Sequence, residues 1–171
     1  MMRKRVVMGL AGFGVLAAMP LWAADKVELT TRVSGVVEQV LVKPGQRVGK
    51  GDVLLRLGKV ILQARLDEAV AEHTRAQVDE SDAKREFDRA QEMFNRTVSS
   101  TSELDASALR YARAQATLAA ANARRVIAQQ NFNDAELKAP FSGVVESVPG
   151  GPGTVVVAEC QPRILVVLSG R

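Results

Sequence analysis

The sequence predicts an α+β protein, in which a small β-sandwich of two similar halves is interrupted by a long antiparallel coiled-coil hairpin. Two observations lead to this prediction. A short segment rich in Val and Gly occurs twice, once near each end of the chain. Between the two copies, apolar residues follow the heptad spacing of coiled coils over two long stretches. The chain therefore combines one domain built from distant segments with one helical insertion.

The first residues have the three parts of a secretory signal peptide: a basic start, an apolar run and a small-residue end. Arg3-Lys4-Arg5 supply the charges, and Ala23-Ala24 precede Asp25. We expect residues 1–24 to be removed, with cleavage after Ala24 or Ala23, which delivers the mature chain to the periplasm. An uncleaved anchor is the alternative, because the apolar run comes close to the ~20 residues that a membrane-spanning helix needs.

The composition excludes several classes of function. The chain has 23 Lys and Arg against 19 Asp and Glu. Three of these cations lie in the leader, so the rest is nearly balanced and we predict no nucleic-acid partner. The single Cys excludes an intramolecular disulfide and a multi-thiolate metal site, and the single His removes most metal and triad chemistry. We therefore predict no catalytic, cofactor-binding or metal-binding residues, and a protein that is not an enzyme.

The repeated segment is nearly identical in its two copies. Ser34–Val40 reappears as Ser142–Val148 with a single substitution, and at the same offset Pro44-Gly45 matches Pro152-Gly153. Abundant Val, broken by Gly and Pro-Gly turns, is typical of short strands. Both copies are therefore predicted to form β-structure of the same kind.

The first copy also predicts which side chains face the core. Val36, Val40 and Val42 alternate with polar or exposed positions, so we expect them on the buried face of a strand. About four short strands per copy cannot bury an apolar face alone, whereas two copies can bury it against each other. We therefore predict halves of one β-domain at 25–57 and 137–171, with 58–136 inserted between them.

The inserted segment carries two heptad seams, which predict two helices joined by a tip near 98–102. The first seam consists of Leu62, Leu66, Ala69, His73, Ala76, Glu80, Ala83, Phe87, Ala90 and Phe94. The second consists of Leu104, Ser107, Tyr111, Ala114, Leu118, Ala121, Arg125, Ala128, Phe132 and Ala135. Ser100 and Glu103 have capping-box spacing at the start of the second helix. Pro140 ends helical structure before it.

The two seams fold onto each other if the turn centres on the tip. Phe87 then faces Tyr111 and Ala76 faces Ala121, so large layers meet large ones and small layers meet small ones. This agreement favours an antiparallel hairpin over two unrelated helices. A hairpin of that length is mostly exposed to solvent, which indicates that it reaches for a partner.

A β-domain of two halves interrupted by a helical hairpin, behind a signal peptide, resembles the membrane fusion proteins, the HlyD-like or RND-type periplasmic adaptors. Val33–Leu54 is similar to the first half of the family's biotinyl/lipoyl-like domain, and Leu137–Val145 to its re-entry from the hairpin. Typical adaptors continue into a β-barrel and a membrane-proximal domain, whereas this sequence ends at Arg171. The resemblance therefore implies a short form: a minimal adaptor, a subunit completed by another chain or a truncated product.

The resemblance implies an adaptor that links an inner-membrane transporter to a TolC-like outer-membrane channel in a tripartite efflux or secretion system, together with further adaptor protomers. Family members that engage such channels carry Arg, Leu and Ser around the hairpin turn. Arg89 and Ser100 match the Arg and the Ser, Phe94 stands where Leu is usual, and Glu103 follows in the familiar spacing. We expect these four residues to contact the channel. A generic envelope scaffold, whose hairpin pairs with another coiled coil, is the alternative.

Four further residues have both a functional and a structural interpretation. Lys59 lies near where a lipoyl domain carries its modified Lys, but the insertion fills the tight turn that such an arm requires, so we expect no modification. His73 and Arg125 share a seam layer, for which a pH-sensitive contact and a place at the solvent edge are both open. Cys160 is expected to be an inert small residue rather than a reactive thiol.

Overall fold

The computed structural model describes residues 26–97, 100–158 and 163–170. The predicted leader, residues 1–24, and Cys160 lie outside the described residues. Within the described part, the elements in chain order are β1 (Lys26–Leu29), β2 (Gly35–Val40), β3 (Arg47–Val48), β4 (Val53–Leu57), α1 (Val60–Asn95), α2 (Thr101–Asn133), β5 (Glu136–Lys138), β6 (Gly143–Ser147), β7 (Val155–Val156) and β8 (Val166–Gly170).

The strands form two four-stranded sheets, and each sheet takes two strands from each half of the chain. The strand orders are β1-β8-β6-β3 and β5-β4-β2-β7. The repeat relates β1 to β5, β2 to β6, β3 to β7 and β4 to β8. When each strand of the first sheet is exchanged for its related strand, the order of the second sheet results. The predicted sandwich of two similar halves is therefore confirmed, and the halves exchange strands rather than stacking as separate units.

A β-bulge occurs at the same place in both copies of the repeat. The pairing of β2 with β4 shifts between Val37 and Gln39, and the pairing of β6 with β8 shifts between Val145 and Ser147. A bulge adds one residue to a strand and so changes which side chains face inward. The repeated sequence thus encodes a repeated irregularity as well as repeated strands.

The bulge corrects the predicted core face of β2. Val36, which was expected to face inward, is 48% exposed, and its neighbour Val37 is only 1% exposed. Val42, beyond the bulge, is buried as expected, and Val40 is half-buried. The prediction was wrong at Val36 because it assumed an unbroken alternation, which the register shift between Val37 and Gln39 interrupts.

Aliphatic side chains from both sheets fill the core between them. The largest fully buried side chains come from both halves and lie in strands, except for Leu165, which directly precedes β8. They are Val37, Leu54, Leu55, Leu57, Val145, Val156, Leu165, Val166 and Leu168. Burying a side chain of this kind contributes about 1.5–3 kcal/mol relative to leaving it exposed. Neither half has enough strands to shelter its share of these residues without the other.

The two helices form the predicted antiparallel hairpin. In α1, every residue that is buried or half-buried belongs to the predicted seam, and only Phe94 of that seam is exposed. The rings of Phe87 and Tyr111 stack with their centroids 5.8 Å apart, which confirms the predicted register. Ion pairs beside the seam also join the helices, between Glu72 and Arg124 and between Glu86 and Arg110. At ~1.5 Å per residue, the 36-residue α1 is about 54 Å long.

Gly35 and Gly143 occupy the same position in the two copies of the repeat but have different surroundings, so the same substitution should affect them differently. A Cβ on Gly143 would lie 2.4 Å from the carbonyl oxygen of Ser169, whereas a Cβ on Gly35 would meet Leu57 at an ordinary 3.6 Å. We expect Gly143→Ala to lower the free energy of unfolding by about 2 kcal/mol or more, and Gly35→Ala by less than about 1 kcal/mol. Urea denaturation of both variants measures the difference. Equal losses would contradict this packing of β6 against β8.

Candidate functional site

The hairpin tip is closed by a capped helix start. Ser100 is the N-cap of α2, with φ −87° and ψ 156°, and its Oγ accepts a hydrogen bond from the backbone N–H of Glu103 at 3.3 Å. This confirms the helix start that the capping-box spacing predicted. Glu103 lies in the first turn, where a negative charge is stabilised by the helix dipole.

The four residues expected to contact a channel are all exposed at or near this tip. Phe94 keeps 37% of its surface exposed at the end of the seam, and Arg89, Ser100 and Glu103 are exposed as well. The structure brings Arg89 and Glu103 to one groove of about 240 Å³, although they belong to different helices. Phe94 and Ser100 do not line this groove.

Sequence reasoning missed other residues of the groove. Met93 and the ion-paired Glu86 and Arg110, whose charged atoms lie 3.6 Å apart, also line it. These residues could have been identified from the predicted register of the hairpin. Two residues face each other across the hairpin when their residue numbers have nearly the same total as those of Phe87 and Tyr111. The groove therefore combines a cation, a crossing ion pair and an apolar thioether.

The turn that leaves α1 contains a strained residue. The backbone N–H of Thr97 donates to the carbonyl oxygen of Phe94 at 2.9 Å, and Thr97 has φ 62°, in the left-handed region. Helices commonly end with such a residue, but it is usually glycine, because a side chain adds about 1–2 kcal/mol of steric energy there. A β-branched residue in this position has no sequence signature, so the sequence did not predict this turn.

Thr97→Gly is expected to raise the stability of the hairpin. Glycine adopts the left-handed conformation without steric conflict, so we expect the free energy of unfolding to rise by about 0.5–1 kcal/mol. Thermal melts followed by circular dichroism at 222 nm measure the gain. Thr101→Gly, inside the first turn of α2, is the matched control and should be destabilising. A loss of stability in Thr97→Gly would show that the left-handed turn is not formed in solution.

The middle of the hairpin contains polar residues at seam positions. His73 and Arg125 are both half-buried, and the Arg125 guanidinium donates to Asn122 Oδ1 at 3.1 Å. Its Nε is buried and has no hydrogen-bond partner within the described residues. An open groove of about 530 Å³ runs beside this layer and is lined by His73, Gln77, Glu80, Gln115, Leu118, Ala119 and Asn122. Polar side chains thus interrupt the apolar seam halfway along its length.

A cluster of charges lies where the hairpin joins the sandwich. Glu136 Oε1 accepts a hydrogen bond from Lys59 Nζ at 2.9 Å and lies 3.3 Å from Arg56 Nε. Its Oε2 lies 3.7 Å from Lys138 Nζ, and Lys59 Nζ is 4.9 Å from the centroid of the Phe132 ring. Lys59 therefore occupies an ion-paired site at the start of α1, unlike the tight exposed turn that a lipoyl arm requires.

The cluster perturbs the ionisation of its carboxylate. The hydrogen bond from Lys59 holds the pKa of Glu136 below its ordinary value, and burial opposes this effect. The charges of Lys59, Arg56 and Lys138 lower the pKa further. Because a depressed pKa means that the folded state favours the ionised form, folding is stabilised wherever the carboxylate is ionised.

This linkage predicts how stability depends on pH. The contribution of Glu136 is present above the ordinary glutamate pKa of about 4.3 and is lost as pH falls through its lower folded pKa. We expect Glu136→Gln to melt below the wild type at pH 7 and the difference to shrink towards pH 3. Glu72→Gln, which removes the more exposed pair with Arg124, is the control and should change the melting temperature little at either pH. A difference that is constant with pH would contradict the assignment.

No group of three or more His, Cys, Asp and Glu side chains has a metal-binding arrangement within residues 26–97, 100–158 and 163–170. In the same part of the chain, neither helix has a stretch of sufficient length and hydropathy to cross a membrane.

A split sandwich that carries a projecting helical hairpin defines the class of membrane fusion proteins. Residues 25–161 match the family described as CzcB-like, barrel-sandwich hybrid domain, and the chain belongs to this family. The efflux pump periplasmic linker BepF of Brucella suis is 32% identical over 145 residues, covering 85% of this chain and 35% of BepF. The multidrug resistance protein MdtA of Cronobacter turicensis is 27% identical over 167 residues, covering 92% of this chain and 39% of MdtA.

A solved structure shows the same fold. A MacA–MexA chimeric protein with the Pseudomonas aeruginosa MexA α-hairpin domain superposes with a TM-score of 0.65 at 23% identity, covering 85% of this chain and 46% of the chimera. The present chain thus spans 35% and 39% of the length of these two relatives and 46% of the length of the solved structure.

Proposed function

We propose that this chain is a periplasmic adaptor subunit of a tripartite efflux or secretion system. In this role it links an inner-membrane transporter to a TolC-like outer-membrane channel and acts by docking, without catalysis. In this protein the leader comprises residues 1–24, the sandwich halves comprise 25–57 and 137–171, and the hairpin comprises 58–136. The leader delivers the mature chain to the periplasm.

The projecting hairpin is the observation that carries this proposal. Its seam is occupied by contacts between its own two helices, so the seam does not need a partner to be stable. At the tip, Phe94 and Met93 are exposed beside the charged groove of Arg89 and Glu103. BepF, a related protein over most of this chain, is described as an efflux pump periplasmic linker, which supports the same role.

The tip offers four kinds of contact to the helical end of a channel. Phe94 supplies an apolar knob, and Arg89 supplies a cation with several hydrogen-bond donors. The Ser100 hydroxyl accepts from the Glu103 N–H, and a hydroxyl group can also donate a hydrogen bond to a partner. Glu103 adds a negative charge close to the cap. Small, chemically mixed surfaces of this kind depend on a few anchor residues for most of their binding energy.

Self-association is proposed to involve the outer face of the β5-β4-β2-β7 sheet. Val36 and Val155 are cross-strand neighbours there and are 48% and 59% exposed. The corresponding pair on the other sheet is Val144 with the charged Arg47. The apolar pair therefore distinguishes one outer face of the sandwich from the other, as stacking of adaptor protomers in one direction requires.

Arg89→Ala tests the docking proposal. An anchor residue contributes about 2 kcal/mol or more to binding, which is over tenfold in affinity, whereas an exposed substitution changes stability by less than about 0.5 kcal/mol. We expect Arg89→Ala to keep its melting temperature and to lose tenfold or more in affinity for a purified TolC-like channel, measured by surface plasmon resonance. Phe94→Ala should weaken binding similarly.

Arg75→Ala is the matched control for this experiment. Arg75 lies two heptads before Arg89 on the same face of α1, is highly exposed and is remote from the tip. It should bind the channel as the wild type does. Wild-type affinity in a well-folded Arg89→Ala would contradict tip docking and would favour the generic envelope scaffold, whose hairpin pairs with a different coiled coil.

A further inference from the structure

We propose that the charged cluster at the base of the hairpin fixes the direction in which the hairpin leaves the sandwich. The cluster consists of Arg56, Lys59, Glu136 and Lys138, and we call it the elbow cluster. This inference concerns the geometry of the chain itself, so it holds whichever partner the tip binds.

The elbow cluster joins every element that meets at the base. Arg56 belongs to β4 and Glu136 to β5, where the two residues are cross-strand partners. Lys59 is the N-cap residue of α1, and its ammonium group also lies over the ring of Phe132 in α2. One carboxylate thus connects both sandwich strands to the start of one helix and, through Lys59, to the end of the other.

The other contacts at the base involve no charged pair. Thr31 Oγ1 donates a hydrogen bond of 3.4 Å to the carbonyl oxygen of Asp134, the C-cap residue of α2. The backbone N–H of Leu57 donates to the carbonyl oxygen of Ala135 at 2.8 Å, and that of Gly58 to Val36 at 2.9 Å, but both bonds lie before the first helical turn. Leu62 and Phe132 extend the sandwich core into the base of the hairpin. Apolar contacts of this kind have no directional preference, whereas charge-assisted hydrogen bonds have preferred lengths and angles.

The pair of Lys59 and Glu136 at the centre of the elbow cluster is better shielded than the other ion pairs, whereas Arg56 and Lys138 are 46% and 53% exposed. The side chains of Glu136 and Lys59 are 21% and 33% exposed, whereas every pair within the hairpin has both partners nearly half exposed or more. Shielded charges are screened less by salt, so they hold their geometry more firmly. Among the described residues, Glu136 is the one carboxylate with three cationic partners in these ion pairs.

Because the hairpin is long, a small change of its angle at the base displaces its tip by a large distance. If α1 turns by about 10° at Lys59, its far end, about 54 Å away, moves by about 9 Å. A movement of that size is comparable to the diameter of a helix, about 10 Å, and it would carry the tip away from a docking position. A few bonds at the elbow therefore control the position of a surface far from them.

Distance measurements between two spin labels test the proposal on the whole mature chain. One label replaces Lys50, which is exposed on the sandwich, and the other replaces Ser81, which is exposed on α1, both in a Cys160→Ser background. Ser81 lies about 32 Å along the helix from its start, so a 10° change moves this label by about 5 Å. Pulsed electron paramagnetic resonance resolves such a shift, or an equivalent broadening of the distance distribution.

Two variants remove the charge interaction from opposite sides. Glu136→Gln neutralises the carboxylate, and Lys59→Met removes the ammonium group while keeping an apolar stem against Phe132. We expect both to shift or broaden the distribution by about 5 Å at unchanged helical content. Glu72→Gln, which removes an ion pair within the hairpin, is the matched control and should reproduce the wild-type distribution.

The outcomes separate this inference from the proposed function. A wild-type distribution in a folded Glu136→Gln or a folded Lys59→Met would overturn the role of the elbow cluster and assign the direction to Leu62 and Phe132. If Glu136→Gln does not fold, Lys59→Met decides the question in the same way. Channel binding does not enter the readout, so a failure of tip docking leaves this test unaffected.

Discussion

Strands β4 and β5 lie side by side in one sheet, although the whole hairpin separates them in the chain. Their pairing, with Arg56 opposite Glu136, brings the two ends of the insertion next to each other. An insertion whose ends are adjacent must return to its starting point, and two helices of similar length packed antiparallel do this with the least additional chain. The strand exchange between halves supports this pairing, since it buries β4 under the opposite sheet. The position of the tip, the base and the groove between the helices all follow from it.

The sequence was most informative where a signal is repeated over many residues. The heptad seams were predicted residue by residue, because twenty positions together define a period and the facing pairs must agree in size. Phe94 departs from the seam because it lies at the end, where few neighbours remain to cover it. The repeated Val-rich segment predicted the sandwich for the same reason, since two copies constrain each other. The cap at Ser100 was visible because its chemistry is local.

Features that depend on irregular backbone or on contacts between distant residues were not visible. Val36 was assigned to the wrong face because a bulge has no marker within a run of valines. The left-handed Thr97 is a residue type that disfavours its own conformation, so propensity points away from it. The elbow cluster requires the register of β4 against β5, which no local pattern supplies. Arg89 and Glu103 were expected at the tip from a resemblance, whereas the groove that they share with Met93 follows only when the facing pairs of the hairpin are worked out from its register.

The adjacent ends of the hairpin also make it a module whose length can vary without disturbing the rest. Removing one heptad from α1 and the facing heptad from α2 keeps the two seams in phase. Facing pairs such as Phe87 and Tyr111 then stay in register. The strands of the sandwich pair with one another and not with the helices, so this change leaves their pairing unaltered. Each such step alters the reach by about 10 Å. The projection of the hairpin from the sandwich can therefore be lengthened or shortened in increments of seven residues per helix, while one base and one tip are retained.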